Sequence, residues 1–335
     1  MAGKSGREIN ATPTNVWKKR LLSWEGILVV IFLAVIILCR SISPNYTLEN
    51  VLREMPKYLS EIFLFFPMAF ILMIGEIDIS VGSIVCLSAT AGCLSANAGV
   101  PFPAVILIMI IVGGICGMIN GFVITSFPEL PSMIVTLGTQ IIFRGVAEII
   151  LGNGGSVSLK DAMPFREISK RIGPFPIVFF LIVISAVCFV IVSVKMKYGR
   201  EVMAVGSNRK TSLYSGIKVK RVIFTAYTVM GIFAGLAGLF LTAASYGANT
   251  TTGVGFEMDA IAMAVFGGIA TTGGKGKMIG GIIAAFIIVC LRIGLGQINM
   301  NPQTILLIIG ILLIASVILP NISASIKAAK KKAQV

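Results

Sequence analysis

Apolar runs long enough to cross a lipid bilayer recur along almost the whole of this sequence. A helix needs about 17–25 apolar residues to cross the bilayer core, and runs of that length are separated here by short polar segments. The runs lack the two-residue alternation that marks a membrane β-barrel. Only 13% of the residues are charged, against about 25% in soluble domains. The sequence therefore predicts an all-α polytopic membrane protein.

About ten transmembrane helices fit the apolar pattern, and an even number places both termini on the same side. We predict a cytoplasmic N-terminal tail over residues 1–23, a single transmembrane domain over residues 24–322 and a basic cytoplasmic tail over residues 323–335. The predicted spans are residues 24–43, 58–75, 83–99, 104–124, 132–152, 174–194, 222–244, 258–273, 278–297 and 303–319.

The net charge of +14 is distributed unevenly along the chain. Nineteen of the 28 basic residues lie in segments that this threading puts in the cytoplasm, and seven lie in outer loops. Cytoplasmic loops of membrane proteins carry such an excess of Lys and Arg. We therefore interpret the charge as topology information, with some attraction to anionic membrane lipid, and we predict no nucleic-acid partner.

Residue types and motifs that support chemistry are scarce. The chain has no histidine, and its six cysteines lie in apolar runs without metal-ligand spacing, so we expect no metal, no cofactor and no enzymatic activity. Residues 273–276 imitate a phosphate-binding loop, but Ile269 replaces its first glycine and Gly276 replaces the Ser or Thr that would bind Mg²⁺. Any ATP-driven work would therefore come from another subunit.

The longest polar interruption of the apolar pattern covers residues 195–221. It contains eight Lys or Arg residues and a single acidic residue, Glu201. Its basic character predicts a cytoplasmic position, and its length exceeds that of a simple connection. We predict that a cytoplasmic partner binds this loop.

Charged groups inside membrane spans are costly, so they indicate function or internal pairing. Glu76 and Asp78 could bind an ion in a secondary transporter. Alternatively, Asp78 and Ser80 cap the following helix, which we favour for these two residues. Arg144 and Glu148 lie four residues apart and are predicted to form an ion pair on one helix face.

A second Glu-x-Asp sequence beside glycines lies at residues 253–259 and echoes residues 75–83. The threading gives the surroundings of the two segments opposite orientations. Inverted repeats with broken helices that meet a central pathway are common in transporters. The echo is short, and it suggests a possible inverted repeat.

Residues 77–83 read Ile-Asp-Ile-Ser-Val-Gly-Ser, and further short motifs follow at residues 117–121, 131–138, 144–145, 198–200, 204–208, 215–221, 231–238, 257–262 and 267–276. In order and spacing these strings resemble the permease subunits of bacterial ABC importers for monosaccharides. That group contains the ribose, xylose, arabinose, galactose and autoinducer-2 permeases. The resemblance covers residues 75–280, most of the chain.

The resemblance implies a multi-pass permease in the bacterial cytoplasmic (inner) membrane that imports a monosaccharide or a sugar-like solute. It implies three partners: an ABC ATPase subunit, an extracytoplasmic solute-binding protein and a second permease copy, either identical or a sister subunit. It also implies that residues 195–221 hold a short coupling helix that docks in a groove of the ATPase. Which solute is carried stays open.

Matching positions imply the roles of individual residues. The residues expected to shape the coupling element are Gly199, Gly206, Asn208, Ser215 and Gly216. The residues expected along the translocation pathway are Asp78, Ser80, Asn120 and Thr136.

Three residues depart from the pattern of the resembled family. Glu76 replaces an expected Gly, Met133 replaces an expected Phe, and Tyr214 replaces a small or aliphatic residue. The first two affect the choice of solute, and the third affects the choice of ATPase. An ion-coupled secondary transporter that uses intramembrane Asp78 or Glu76 remains the alternative function.

Overall fold

The structure, a computed structural model, describes residues 23–168, 170–312 and 314. The predicted N-terminal tail up to residue 22, the predicted C-terminal tail and the last part of the tenth predicted span lie outside the described residues. Within them the chain is mostly helical, which confirms a polytopic helical membrane protein. The count of ten spans and the cytoplasmic position of both termini stay predictions.

Seven helices of the described chain are long and apolar enough to cross a membrane. They are α1 (Trp24–Ile42), α3 (Pro56–Ile74), α5 (Phe102–Ser126), α6 (Ser132–Leu151), α8 (Ile177–Lys195), α11 (Val219–Ser245) and α13 (Met278–Gln297). Three shorter helices coincide with the other predicted spans, namely α4 (Val81–Asn97), α12 (Phe256–Phe266) and α14 (Pro302–Leu312).

The remaining elements lie in the polar connections. Four helices belong to this group: α2 (Leu48–Glu54), α7 (Met163–Ile168), α9 (Lys197–Ser207) and α10 (Arg209–Tyr214). Two small antiparallel sheets pair β1 (Ser156–Ser158) with β4 (Gly247–Asn249), and β2 (Arg171–Ile172) with β3 (Phe175–Pro176). The fold is therefore helical apart from these short strands.

Helix α12 is shorter than the predicted span of residues 258–273. It ends at Phe266, and Gly267 and Gly268 follow, the second of them with φ +87°. Glycine in a left-handed conformation commonly ends a helix. Residues 269–277 then form a tight turn, in which the Ala270 amide donates to the carbonyl oxygen of Lys275 (3.1 Å).

Close backbone packing joins α5 to α11. A side-chain carbon at Gly113 or Gly117 would collide with the α11 backbone around Gly231, and one at Gly231 or Gly235 would collide with α5. Small residues let helices approach closely where the surrounding lipid is as apolar as the helix faces. The glycines of these two spans therefore serve helix packing.

Connections that the threading assigns to one side lie together in the structure. Residues 74–77, 128–133 and 205–209 line one cavity with Thr272, and they belong to connections that the threading assigns to the cytoplasm or to the span ends next to them. Residues in the ranges 45–58 and 293–299, which belong to connections assigned to the outside or to the span ends next to them, contribute to another cavity. The grouping agrees with the threading, and the side that each group faces stays a prediction.

Two polar segments contact each other, the first of them largely buried and the second partly exposed. Residues 75–80 connect α3 to α4, and residues 250–255 lead from β4 to α12. The two segments meet where the backbone of Gly82 approaches that of Gly253 too closely to admit a side chain at either position. The two Glu-x-Asp sequences thus lie near each other, while the inverted repeat stays a prediction.

Candidate functional site

Asn208 divides the long polar loop into two helices. Its amide donates to the carbonyl oxygen of Ala204 (3.1 Å) at the end of α9, and its side-chain oxygen accepts from the Thr211 amide (3.0 Å) in α10. One extended residue therefore ends one helix and caps the next, the geometry that asparagine favours at an N-cap. We call α9, Asn208 and α10 the helix pair.

Glycine holds the first helix of this pair against the transmembrane helices. A side-chain carbon at Gly206 would overlap the carbonyl oxygen of Met73 at the end of α3, and would also approach the Gly274 amide. That amide donates to the same Met73 oxygen (2.8 Å). A side-chain carbon at Gly199 would likewise overlap the carbonyl oxygen of Val192 and the backbone of Ser193 in α8. The helix pair is therefore positioned by backbone contacts that only glycine permits.

The second helix of the pair ends at the two other predicted residues. Ser215 donates from its amide and from its hydroxyl to the Thr211 carbonyl oxygen (3.0 Å each), and Gly216 follows with φ +80° in open space. The tip before them exposes Leu213 by 62% and Tyr214 by 88%. A large apolar tip on a polar loop is typical of a protein contact.

Burial shifts the pKa values of two ionisable groups of the loop. Burial raises the pKa of the Tyr198 phenol, which therefore stays protonated and donates to the Val222 carbonyl oxygen (3.1 Å). Burial lowers the pKa of the Arg209 guanidinium, yet arginine remains charged because its ordinary pKa exceeds about 12. Tyr198 thus attaches α9 to α11, and Arg209 is available as a cation.

Arg209 forms an ion pair with Glu76. The Glu76 side chain is 8% exposed and that of Arg209 is 42% exposed. Both line a cavity of about 570 Å³ between the helix pair, residues 74–77 and residues 128–133. Glu76, which the sequence left open as an ion site, is therefore neutralised by a residue 133 positions further along the chain.

The four predicted pathway residues lie together in the interior. Asn120 donates to the Ser80 hydroxyl (2.7 Å), which donates to Asp78 Oδ1 (2.7 Å). Thr136 accepts from the Ile79 amide (3.2 Å). All four side chains are at most 1% exposed, so they form a closed network behind the cavity that residues 74–77 line.

The cap predicted for α4 is present only in part. Ser80 occupies the N-cap position, but its side chain makes no capping hydrogen bond. Asp78 instead accepts from the Ser80 amide (2.9 Å). Asp78 Oδ2 and Asn120 Oδ1 remain buried without a partner in the described chain. The network therefore retains hydrogen-bonding capacity.

Arg144 does not pair with Glu148, contrary to the sequence-based prediction. Its guanidinium donates to the carbonyl oxygens of Thr250 (2.9 Å) and Thr252 (2.8 Å). Helical spacing suggests the nearest carboxylate but cannot reveal a backbone partner more than 100 residues away. Arg144 thus fixes the polar segment 250–255 against α6.

The sequence did not predict a group of three buried charged residues, which we call the triad. Arg292 in α13 binds Glu61 in α3 and Asp259 in α12, each at 2.5 Å. Arg292 and Asp259 stand out as charges in or near predicted spans, but Glu61 was not singled out. A lone carboxylate inside an apolar run was the available signal, because such a group is costly unless it is paired.

Within residues 23–168 and 170–312 no three potential metal-binding side chains come together. The structure instead combines long apolar helices, an internal polar network and a docked helix pair. These features define a multi-pass membrane protein built around an interior polar region.

The chain belongs to the family described as branched-chain amino acid transport system / permease component, which it matches over residues 60–317. It is 33% identical over 306 residues to the D-allose transport system permease protein of Escherichia coli (strain K12), covering 90% of this chain and 93% of the relative. It is 32% identical over 257 residues to the ribose import permease protein of Bacillus subtilis (strain 168), covering 76% and 79%.

A third relative is the autoinducer 2 import system permease protein of Salmonella paratyphi B (strain ATCC BAA-1250 / SPB7), 28% identical over 317 residues, with 92% and 94% covered. No solved structure matches the chain. The resemblance to permeases of sugar importers is confirmed, and these relatives are transport permeases. The roles of the individual site residues stay predictions.

Proposed function

We propose that this chain is the membrane permease of an ATP-driven importer for a monosaccharide or a sugar-like solute, in the bacterial cytoplasmic (inner) membrane. The family description names branched-chain amino acids, whereas the three relatives are named for D-allose, ribose and autoinducer 2 import. Their similarity over most of this chain favours a sugar-like solute.

The helix pair is the observation that carries the proposal. It is fixed to α3 and to the turn at Gly274 by backbone contacts, and it presents the exposed residues Leu213 and Tyr214. A helix pair whose first helix is fixed to the transmembrane helices and whose second helix carries an exposed apolar tip suits docking into a separate ATPase subunit. Closure of the ATPase would then move the transmembrane helices as rigid bodies.

The remaining parts of the proposal concern the pathway and the other partners. Asp78, Ser80, Asn120 and Thr136 form a buried polar group with unused hydrogen-bonding capacity at Asp78 and Asn120, which supports a role near the pathway. A solute-binding protein would deliver the solute on the outside, and a second permease copy would complete the assembly. ATP hydrolysis would occur on the ATPase and not on this chain.

Reconstitution tests this function directly. The chain is purified from its native membrane, co-purifying proteins are identified, and uptake of D-allose and D-ribose into proteoliposomes is measured with and without internal ATP and the binding protein. We expect an ATPase to co-purify and uptake to require both additions. Uptake by the chain alone, driven by a proton or sodium gradient, would instead establish the ion-coupled alternative.

A further inference from the structure

Helix α10 is weakly attached to the rest of the molecule. Of its six residues only Ser212 is buried. Among the side-chain hydrogen bonds and ion pairs of the described chain, the Glu76–Arg209 pair is the one that joins α10 to the transmembrane helices. Arg209 is also the first residue after the extended Asn208. Movement of the exposed tip therefore acts on Glu76 directly through Arg209, in addition to the backbone route through Asn208 and α9.

Glu76 belongs to a turn that is tied to three helices. Its neighbour Ile77 accepts from the Tyr227 hydroxyl of α11 (3.4 Å) and donates from its amide to the Ser132 hydroxyl of α6 (3.3 Å). Two residues further, the Ile79 amide donates to Thr136 of α6 (3.2 Å). Asn120 of α5 binds the same turn through Ser80. A displacement of Glu76 is thus passed to α5, α6 and α11 within four residues.

Glu76 and Arg209 differ in burial, so Glu76 depends more strongly on its partner than Arg209 does. Glu76 is nearly inaccessible, so an unpaired carboxylate there is costly. Arg209 is partly solvated and tolerates separation better. The carboxylate therefore follows the guanidinium when α10 moves, since losing the partner is more unfavourable for the buried group.

We propose that Glu76 and Arg209 form a positioning ion pair that transmits movement of α10 to the turn at residues 75–80, and through it to α5, α6 and α11. The inference rests on the proposed function, since it assumes that a partner moves α10. It goes beyond the resemblance, because the resemblance leads us to expect Gly where this chain has Glu76. The pair is a feature of this chain's own coupling.

The test measures solute taken up per ATP hydrolysed by the full complex in proteoliposomes. Glu76→Gln and Arg209→Gln are each expected to lower this ratio by about two- to fivefold, the range that a partly exposed ion pair supports, while the ATPase still co-purifies. Lys57→Gln, which removes the exposed ion pair with Glu54 outside the helix pair, is the matched control and should leave the ratio unchanged. Unchanged ratios in both charge variants would overturn the proposal.

Rescue separates pairing from a local structural effect. The exchange Glu76→Arg with Arg209→Glu should recover at least half of the lost ratio, and Arg209→Lys, which keeps the charge, should retain most of it. If the exchange variant does not accumulate, Arg209→Lys decides. A charge-retaining variant as impaired as Arg209→Gln would mean that the charge pair is not what transmits movement.

A second readout does not need the ATPase. In inside-out vesicles containing the full chain, trypsin cleavage after Lys210 should be about two- to fivefold faster in Glu76→Gln than in the wild type, because α10 is released. An equal rate would contradict the proposal. If wild-type uptake proves independent of ATP, the proposed function fails, and the cleavage rate still decides whether the pair holds α10.

Discussion

Two groups of charged side chains join distant parts of this chain, and they differ in burial and in what they connect. Arg292, Glu61 and Asp259 are 9%, 7% and 15% exposed and link α13, α3 and α12. Arg209 is 42% exposed and links the short helix α10 to the buried Glu76. The first group lies wholly inside the packed helices, whereas the second lies at the edge of a cavity.

The difference indicates that ion pairing has two separate roles in this chain. Removing one member of a buried charge group leaves an uncompensated charge and costs about 3–5 kcal/mol. Exposed pairs contribute about 0–1 kcal/mol. The triad therefore fixes the relative positions of three transmembrane helices. The pair contributes little to stability, and its value lies in connecting a movable element to the interior.

The largest expected effect follows from breaking the triad. Arg292→Leu leaves Glu61 and Asp259 buried together without a cation and should destabilise the chain by about 3–5 kcal/mol. Thermal denaturation of the purified protein and its abundance in membranes measure the loss. Arg53→Leu, a change at an exposed arginine, serves as the control and should behave like the wild type.

A compensating variant sharpens this test. Replacing all three members with apolar residues removes both the buried charges and their need for partners, and such exchanges are often neutral or stabilising. The variant Glu61→Leu, Asp259→Leu, Arg292→Met should therefore be more stable than Arg292→Leu alone. A triple variant as unstable as the single one would show that packing volume, and not unpaired charge, causes the loss.

The next largest effect concerns the contact that positions the helix pair. Gly206→Val places a branched side chain against the carbonyl oxygen of Met73, and such overpacking costs about 1–3 kcal/mol. We expect α9 to shift, so that ATP hydrolysis continues without solute uptake while the transmembrane helices remain inserted. Both rates are measured in proteoliposomes with the ATPase and the binding protein.

Gly154→Val provides the matched control for this substitution. Gly154 has no neighbouring atom within 4 Å of an added side-chain carbon, so the same chemical change meets open space. Transport coupled normally to hydrolysis in Gly206→Val would remove the basis for assigning coupling to the helix pair. Impaired coupling in both glycine variants would point to a general effect of valine.

Features set by local sequence could be predicted, and features set by distant partners could not. The apolar runs and the basic loops predicted most helices and grouped the connections by side, because length and charge distribution act locally. Gly206 and Asn208 were singled out, and the structure gives each a physical role. In contrast, Arg144 was assigned to Glu148 and Glu61 was overlooked, because their partners lie more than 100 residues away.

The shortening of α12 and the contact of residues 250–255 with α6 were missed for a related reason. Hydropathy extends the apolar run across Gly267 and Gly268, where backbone conformation ends the helix. The polar segment is stabilised by Arg144 from another helix, which no property of the segment itself reveals. Glu76 was likewise interpreted as a possible ion site, because nothing in its own segment indicates that Arg209 is its partner.

A smaller effect on stability, but a clear one on association, is expected at the tip of α10. Tyr214 is 88% exposed, so Tyr214→Ala should leave the thermal stability of the isolated chain unchanged. If the tip contacts the ATPase, losing an aromatic contact should weaken binding by about tenfold or more. The measurement is the amount of ATPase retained on the immobilised permease. Lys220→Ala, at another exposed position of the loop, is the control, and equal retention in both variants would exclude Tyr214 from the contact.

The smallest effect on stability is expected for Glu76→Gln. This variant tests most directly the difference between the triad and the Glu76–Arg209 pair. Glutamine keeps the size of the side chain and removes the buried charge, so the loss of the pair with Arg209 should change stability by no more than about 1 kcal/mol. Arg209→Gln should be more harmful, because it leaves the Glu76 carboxylate buried and unpaired. Thermal denaturation of both variants beside Arg292→Leu gives the order. If Glu76→Gln proves as destabilising as Arg292→Leu, the pair is a structural element like the triad, and the difference drawn between the two charged groups is wrong.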